Sequence, residues 1–159
     1  MRYRPCLAAL LIAASATFVR AGLPQKPTLN LDVAKKIAAR AETEAAKRNW
    51  TMVIVVLDDG GNVILLERMD GTQLGSLEVA EGKARTALRF KRPSKAFEDA
   101  VAGGRNAILS LPGVVAIEGG MPLMVDGVPV GAVGVSGMKS NEDGVVAQAA
   151  VAEFNELTK

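Results

Sequence analysis

The sequence predicts an α+β domain, an antiparallel sheet of about five strands flanked by helices. Two features carry this. Short β-branched runs are paired across turn residues, at 58–62 and at Asp126-Gly127, which is hairpin chemistry. Segments of helical period stand at the two ends and in the middle of the chain rather than between every pair of strands, so hairpins and not parallel crossovers build the sheet.

Taken in order, Met1-Arg2-Tyr3-Arg4 is a positive start. It is followed by an almost wholly apolar stretch at 6–19 and by small residues before Gly22. The apolar stretch is shorter than the about 20 residues that a membrane span needs, and the pattern reads as a cleavable signal peptide over residues 1–21. The expectation is an exported protein, periplasmic or secreted, with no membrane span after cleavage. Residues 22–28 then form a linker and residues 29–159 one domain. Removal of Arg2, Arg4 and Arg20 takes the net charge from +2 to −1, so overall charge gives no argument for nucleic acid as a partner.

Leu31, Ala34, Ile37, Ala38, Ala41 and Ala45 recur at helical spacing behind two capping candidates, Thr28 and Asn30. Residues 52–57 and 63–68 read as strands joined by Asp58-Asp59-Gly60-Gly61-Asn62, a turn rather than a calcium loop, which would need more oxygen ligands. A loop follows, then a helix from Ser76 as cap to about residue 90. Pro93 breaks that helix, and a shorter one runs from 94 to the Gly103-Gly104 stop. Residues 107–111 fit no period. The apolar runs 114–117, 121–125 and 128–135 read as three strands, with Pro129 marking an edge or a bulge. A closing helix spans about 144–157, with Ser140 and Asp143 spaced like a capping box.

The chain has no His, and its single Cys and single Tyr, Cys6 and Tyr3, both lie in the leader. The remaining domain therefore cannot form a disulfide, a His-based triad, a thiol nucleophile or a Cys/His zinc site. Its chemistry is left to carboxylates, Lys, Arg, Ser/Thr, Met sulfur or a bound cofactor.

Glu78, Glu81, Arg85 and Arg89 fall on one helical face. In one reading Glu78 and Glu81 chelate a hard cation while the guanidiniums hold ligand carboxylates; in the other the face is solvated and laced with i,i+4 pairs. Lys83, Lys91, Arg92 and Lys95 add charge near the same helix, most simply as surface. Arg68-Met69-Asp70-Gly71 follows a strand and is either part of a site or a local turn lock. In Glu118-Gly119-Gly120-Met121-Pro122 the glycines let the backbone approach a ligand or another strand.

These segments resemble the GlcG/HbpS family, described as haem-binding or haem-degrading domains. The likeness runs through Val55-Val56-Leu57-Asp58-Asp59-Gly60-Gly61-Asn62, Glu67-Arg68-Met69-Asp70-Gly71, Gly82-Lys83-Ala84-Arg85-Thr86-Ala87 and Glu118-Gly119-Gly120-Met121-Pro122. It ends on Val128-Pro129-Val130-Gly131-Ala132-Val133-Gly134-Val135-Ser136-Gly137, so it extends from about Leu29 to Phe154. Asp143 matches a family acid beyond that end, whereas Met138-Lys139-Ser140-Asn141 replaces the family's Gly-Thr-Pro-Glu.

The resemblance implies a profilin-like fold, a homo-oligomer, and a small-molecule ligand, haem or a related anion. Its expected contacts are Arg68, Met69, Asp70, Lys83, Arg85, Thr86, Gly119, Gly120 and Met121. Of the usual haem-iron ligands only Met remains, and Met69 and Met121, beside the glycine-rich loops, rank first as axial ligands. The alternatives are an enzyme that degrades haem or processes a small acid with Asp70 and Lys83, and a structural partner protein without a ligand.

Overall fold

The computed structural model describes Gly22 and residues 25–159; the expected signal peptide lies outside the described residues. Helix α1, Leu31–Ala46, begins where Asn30 accepts a hydrogen bond from the Val33 N–H at 2.9 Å. Strands β1, Val53–Asp58, and β2, Val63–Arg68, form the first hairpin, and Asp58 Oδ1 accepts the Asn62 N–H at 2.8 Å across its turn. Helices α2, Ser76–Phe90, and α3, Lys95–Ala102, follow, then a short 3₁₀ segment, Asn106–Ser110. The second hairpin, β3 Gly120–Val125 and β4 Val128–Ser136, leads into α4, Ser140–Leu157.

The sheet has the order β2-β1-β4-β3 with every neighbouring pair antiparallel. Side chains alternate across a strand, so β1 sends Ile54 and Val56 to one face and Val53, Val55 and Leu57 to the other. The first set packs with Ile37, Ala147 and Phe154 under α1 and α4. The second packs with Ala80, Ala84 and Leu88 of α2. The result is three layers with a core on each side of the sheet. Gly134 sets the spacing of the α2 layer, because a Cβ there would collide with the Ala80 carbonyl and with Ala84.

Among the described residues four strands form rather than five. The apolar run 114–117 stays out of the sheet because α2 claims it: the Val115 N–H donates to Thr86 Oγ1 at 2.9 Å. Ser76 is the first helical residue and is buried, its hydroxyl 3.4 Å from that of Ser136, while Gly75 takes the cap position. At α4 the Lys139 N–H donates to Glu142 Oε2 at 3.1 Å, which leaves Asp143 to turn inward. Pro129 marks a bulge: β4 is an inner strand, and the β3–β4 register shifts beside it. At one end of the molecule Pro27, Leu29 and Val33 meet Phe154 and Thr158 around a small apolar cleft of ≈ 90 Å³.

Candidate functional site

With 3.6 residues per turn, α2 sorts the expected site residues onto two flanks. Glu78, Glu81 and Arg85 share the outer flank, turned away from Ala80 and Ala84, which pack on the sheet. Arg85 donates from Nε and Nη2 to Glu81 Oε1 at 2.9 and 2.6 Å, and its Nη1 lies toward Gly61 in the hairpin turn. Together with Gly82 these residues line an open groove of ≈ 260 Å³.

Helix α2 packs across β1, β4 and β3, so it leaves the same face of β2 uncovered. Leu66, opposite Val55 in the ladder, is 41 % exposed there, and exposed Arg68, opposite Val53, stands at the far end of the strand. The strand thus carries an uncovered apolar strip with a guanidinium toward each end, Arg85 by the turn that precedes it and Arg68 at its close. Asp70 lies exposed in the loop just beyond. As a hard-cation site the groove is thin. Among the described residues no three Asp, Glu, His or Cys side chains are grouped to hold a metal, and Glu81 is already engaged by Arg85.

The other flank of α2 is interior. Lys83, expected at the surface and facing a ligand carboxylate, is only 1 % exposed. Its Nζ donates to Asp143 Oδ2 at 2.6 Å and to the Val135 carbonyl at 3.2 Å. Asp143, 2 % exposed, also accepts the Met138 N–H on Oδ1 at 3.0 Å. Burial pushes the Asp143 carboxyl above the usual carboxylate range, and the hydrogen bond from Lys83 works against that shift.

Gly119 and Gly120 serve this interior contact. A Cβ on Gly119, whose φ is +125°, would strike the Val135 carbonyl and crowd Asp143 and Lys83 Nζ, and one on Gly120 would overlap the Lys83 backbone. The close approach that two glycines permit is therefore to the protein's own α2. Thr86 is spent as well, donating to the Gly82 carbonyl at 2.8 Å and accepting from Val115.

Met69 and Met121 belong to neither flank. Both are half-buried against the α1/α4 core, on the sheet face opposite α2. They also stand at opposite edges, three strand spacings or about 14 Å apart, so no single iron can take both. Two features of the site escaped sequence reasoning. Leu66 is exposed because α2 happens not to reach β2, which no local pattern encodes. Asp143 partners Lys83 across 60 positions, and the sequence singled it out only as a capping-box candidate and by its place in the family pattern, neither of which points to Lys83.

The HbpS-like family model, described as haem degrading protein HbpS-like, matches residues 29–152. Over 111 residues the chain is 42% identical to Protein GlcG of Escherichia coli (strain K12), covering 70% of this chain and 83% of that protein. Its fold superposes on the crystal structure of HbpS with a TM-score of 0.75 at 32% identity, covering 82% of this chain and 92% of the other. A crystallised complex of PduOC with haem gives a TM-score of 0.73 at 28% identity, covering 81% and 96%.

Proposed function

The chain belongs to the HbpS-like family, and from that premise we propose that it is an exported protein that binds haem or a related flat, anionic small molecule and works as a homo-oligomer. The observation that carries this reading is the uncovered α2-side face of β2, an apolar strip around Leu66 with Arg68 and Arg85 at its ends. A flat ligand buries a face on the strip while its carboxylates meet guanidiniums, which hold carboxylates in two-pronged geometry. For Arg85 this is an exchange: the ligand carboxylate replaces Glu81, so the net gain is the difference between two similar ion pairs. That PduOC is known in complex with haem supports the ligand class.

The donor set does not fit an axially ligated haem. The described residues include no imidazole, thiol or phenol, and Met69 and Met121 lie behind the sheet from the strip. The ligand is therefore held by its edge and its face, not by its metal. Titration of the purified protein with hemin and with metal-free protoporphyrin tests this. Affinities within about threefold of each other are expected, since no strong iron bond separates the two ligands. Arg68→Gln, which loses a guanidinium with no ion-pair partner among the described residues, should weaken both by about tenfold. Arg85→Gln should weaken them less, and Met69→Ala should change neither. A hemin affinity far above that of the metal-free ring, lost in Met69→Ala, would overturn the reading.

The homo-oligomer draws support from β2, an edge strand with no further strand beside it among the described residues; sedimentation velocity measures the assembly. Export is checked by N-terminal sequencing of material recovered outside the cytoplasm. A second reading, oxidative breakdown of the bound haem, follows from the family's description. Decay of the Soret band to a bile pigment under reductant and oxygen would distinguish it from simple binding.

A further inference from the structure

With the leader removed the net charge is −1, yet the cations are unevenly spread. Arg89, Lys91 and Arg92 crowd the C-terminal end of α2, Lys95 opens α3 and Arg105 precedes the 3₁₀ segment beyond it, and all five are exposed. The packing that gathers them is specific. Phe90 meets Phe97 edge-on at 5.0 Å, which pins the end of α2 to α3, and the Arg92 guanidinium lies 4.5 Å over the Phe97 ring. Gly113, with φ +70°, sits against Arg89 and so brings the segment after the 3₁₀ turn over the same helix end.

The acids nearby answer Lys95 and leave the other four cations without an ion pair among the described residues. Asp99 at 2.8 Å and Glu118 at 3.6 Å both pair with Lys95, while Glu98 is turned inward, accepting from the Ser140 hydroxyl at 2.9 Å and from the Glu118 N–H. Lys91 and Arg105 have no ion-pair partner among the described residues. Beside the cations, two large apolar side chains of the 3₁₀ segment and its end stand in solvent, Leu109 at 62 % and Leu111 at 37 % exposure.

We propose that this basic and apolar face docks on a bilayer surface rich in anionic lipid headgroups. Lys91, Arg105 and their neighbours meet the headgroup phosphates, and Leu109 and Leu111 enter the boundary with the acyl chains. Charge complementarity selects an anionic partner, and the exposed leucines select a lipid over a free phosphate or a nucleic-acid backbone, neither of which offers an apolar layer to receive them. Among the described residues no helix is long and apolar enough to cross a membrane, so the contact is peripheral. It uses the C-terminal end of α2 and the segment beyond, apart from the groove at Glu78, Glu81 and Arg85, and holds or falls independently of ligand identity.

Co-sedimentation of the purified protein with vesicles of phosphatidylglycerol and phosphatidylcholine, against vesicles of phosphatidylcholine alone, tests the proposal. Binding is expected to the anionic vesicles only and to fall with added salt. Lys91→Gln with Arg105→Gln should lower the partition coefficient by about 25-fold, since each cation near such a surface contributes about fivefold. Leu109→Ser with Leu111→Ser should lower it without changing the salt dependence, and circular dichroism checks that both variants fold. Three results would each overturn the proposal: equal binding to neutral vesicles, no binding to either kind, and a leucine variant that binds as well as wild type. Concentration-dependent self-association removed by the leucine substitutions, without vesicle binding, would assign the face to a second copy instead.

Discussion

Lys83 and Asp143 carry opposite charges in a setting that excludes water, and this dictates what their substitution does. Taking two ions out of water costs about as much as their attraction returns, whereas removing one partner leaves a buried charge with no answer. Lys83→Met should therefore cost about 3–5 kcal/mol in urea denaturation. Lys83→Met with Asp143→Asn, which keeps an acceptor for the Met138 N–H, should recover most of that loss.

The pair also shapes the pH response. Because burial raises the Asp143 carboxyl above its ordinary 3.8, the folded state holds more protons at this site than the unfolded chain does. Its contribution is fully present below pH 3.8 and declines as pH climbs through the raised value. Asp58 acts in the opposite sense. Hydrogen bonds from Asn62 hold it below 3.8, so its contribution is present above that value and lost as pH falls. In the double variant the denaturation midpoint should lose the Asp143 decline, and an unchanged profile would mean that this carboxyl is not the titrating group. In the sequence Lys83 is one cation among several in and after α2. Nothing local distinguishes it from Lys91, because its burial depends on β4 and α4 arriving from more than 50 residues away.

At the scale of elements, the union of α2 with the sheet rests on a missing side chain. Gly134→Ala would drive a methyl group into the Ala80 carbonyl, and overpacking of this kind costs about 1–3 kcal/mol. Since α2 also carries the groove, the same substitution should weaken porphyrin binding, readable by fluorescence titration alongside the loss of stability. The helices and hairpins were legible because each has a local cause: the alanine-rich stripe of α1, the Asp58–Asn62 turn, Asp126 and Gly127 with φ of +50° and +76°, and the break at Pro93. The run 114–117 was not. Its composition suits a strand, but a single hydroxyl, that of Thr86, fastens it to α2, and apolar pattern alone does not reveal where a backbone donor goes. The candidate site was legible in part. Glu78, Glu81 and Arg85 do line one groove and Arg68 stands exposed at the close of β2, whereas Lys83, Thr86, Gly119 and Gly120 belong to the interior and the two methionines to the far side of the sheet.

For the molecule as a whole, three layers make the two sheet faces unequal. The α1/α4 side is sealed by two long helices, while the α2 side is covered only across β1, β4 and β3 and leaves its strip beside β2. The small cleft where Pro27, Leu29 and Val33 meet Phe154 and Thr158 has a further bearing, on connectivity. It brings the beginning and the close of the described polypeptide side by side, so a short flexible bridge can join them with little distortion. Splicing Pro27 to Lys159 through a few glycines and opening new ends between Gly103 and Gly104, both solvent-facing, should yield a permuted protein that folds and melts cooperatively. Its architecture would then owe nothing to the order in which its pieces are threaded, and fluorescent or affinity partners could be grafted at either location.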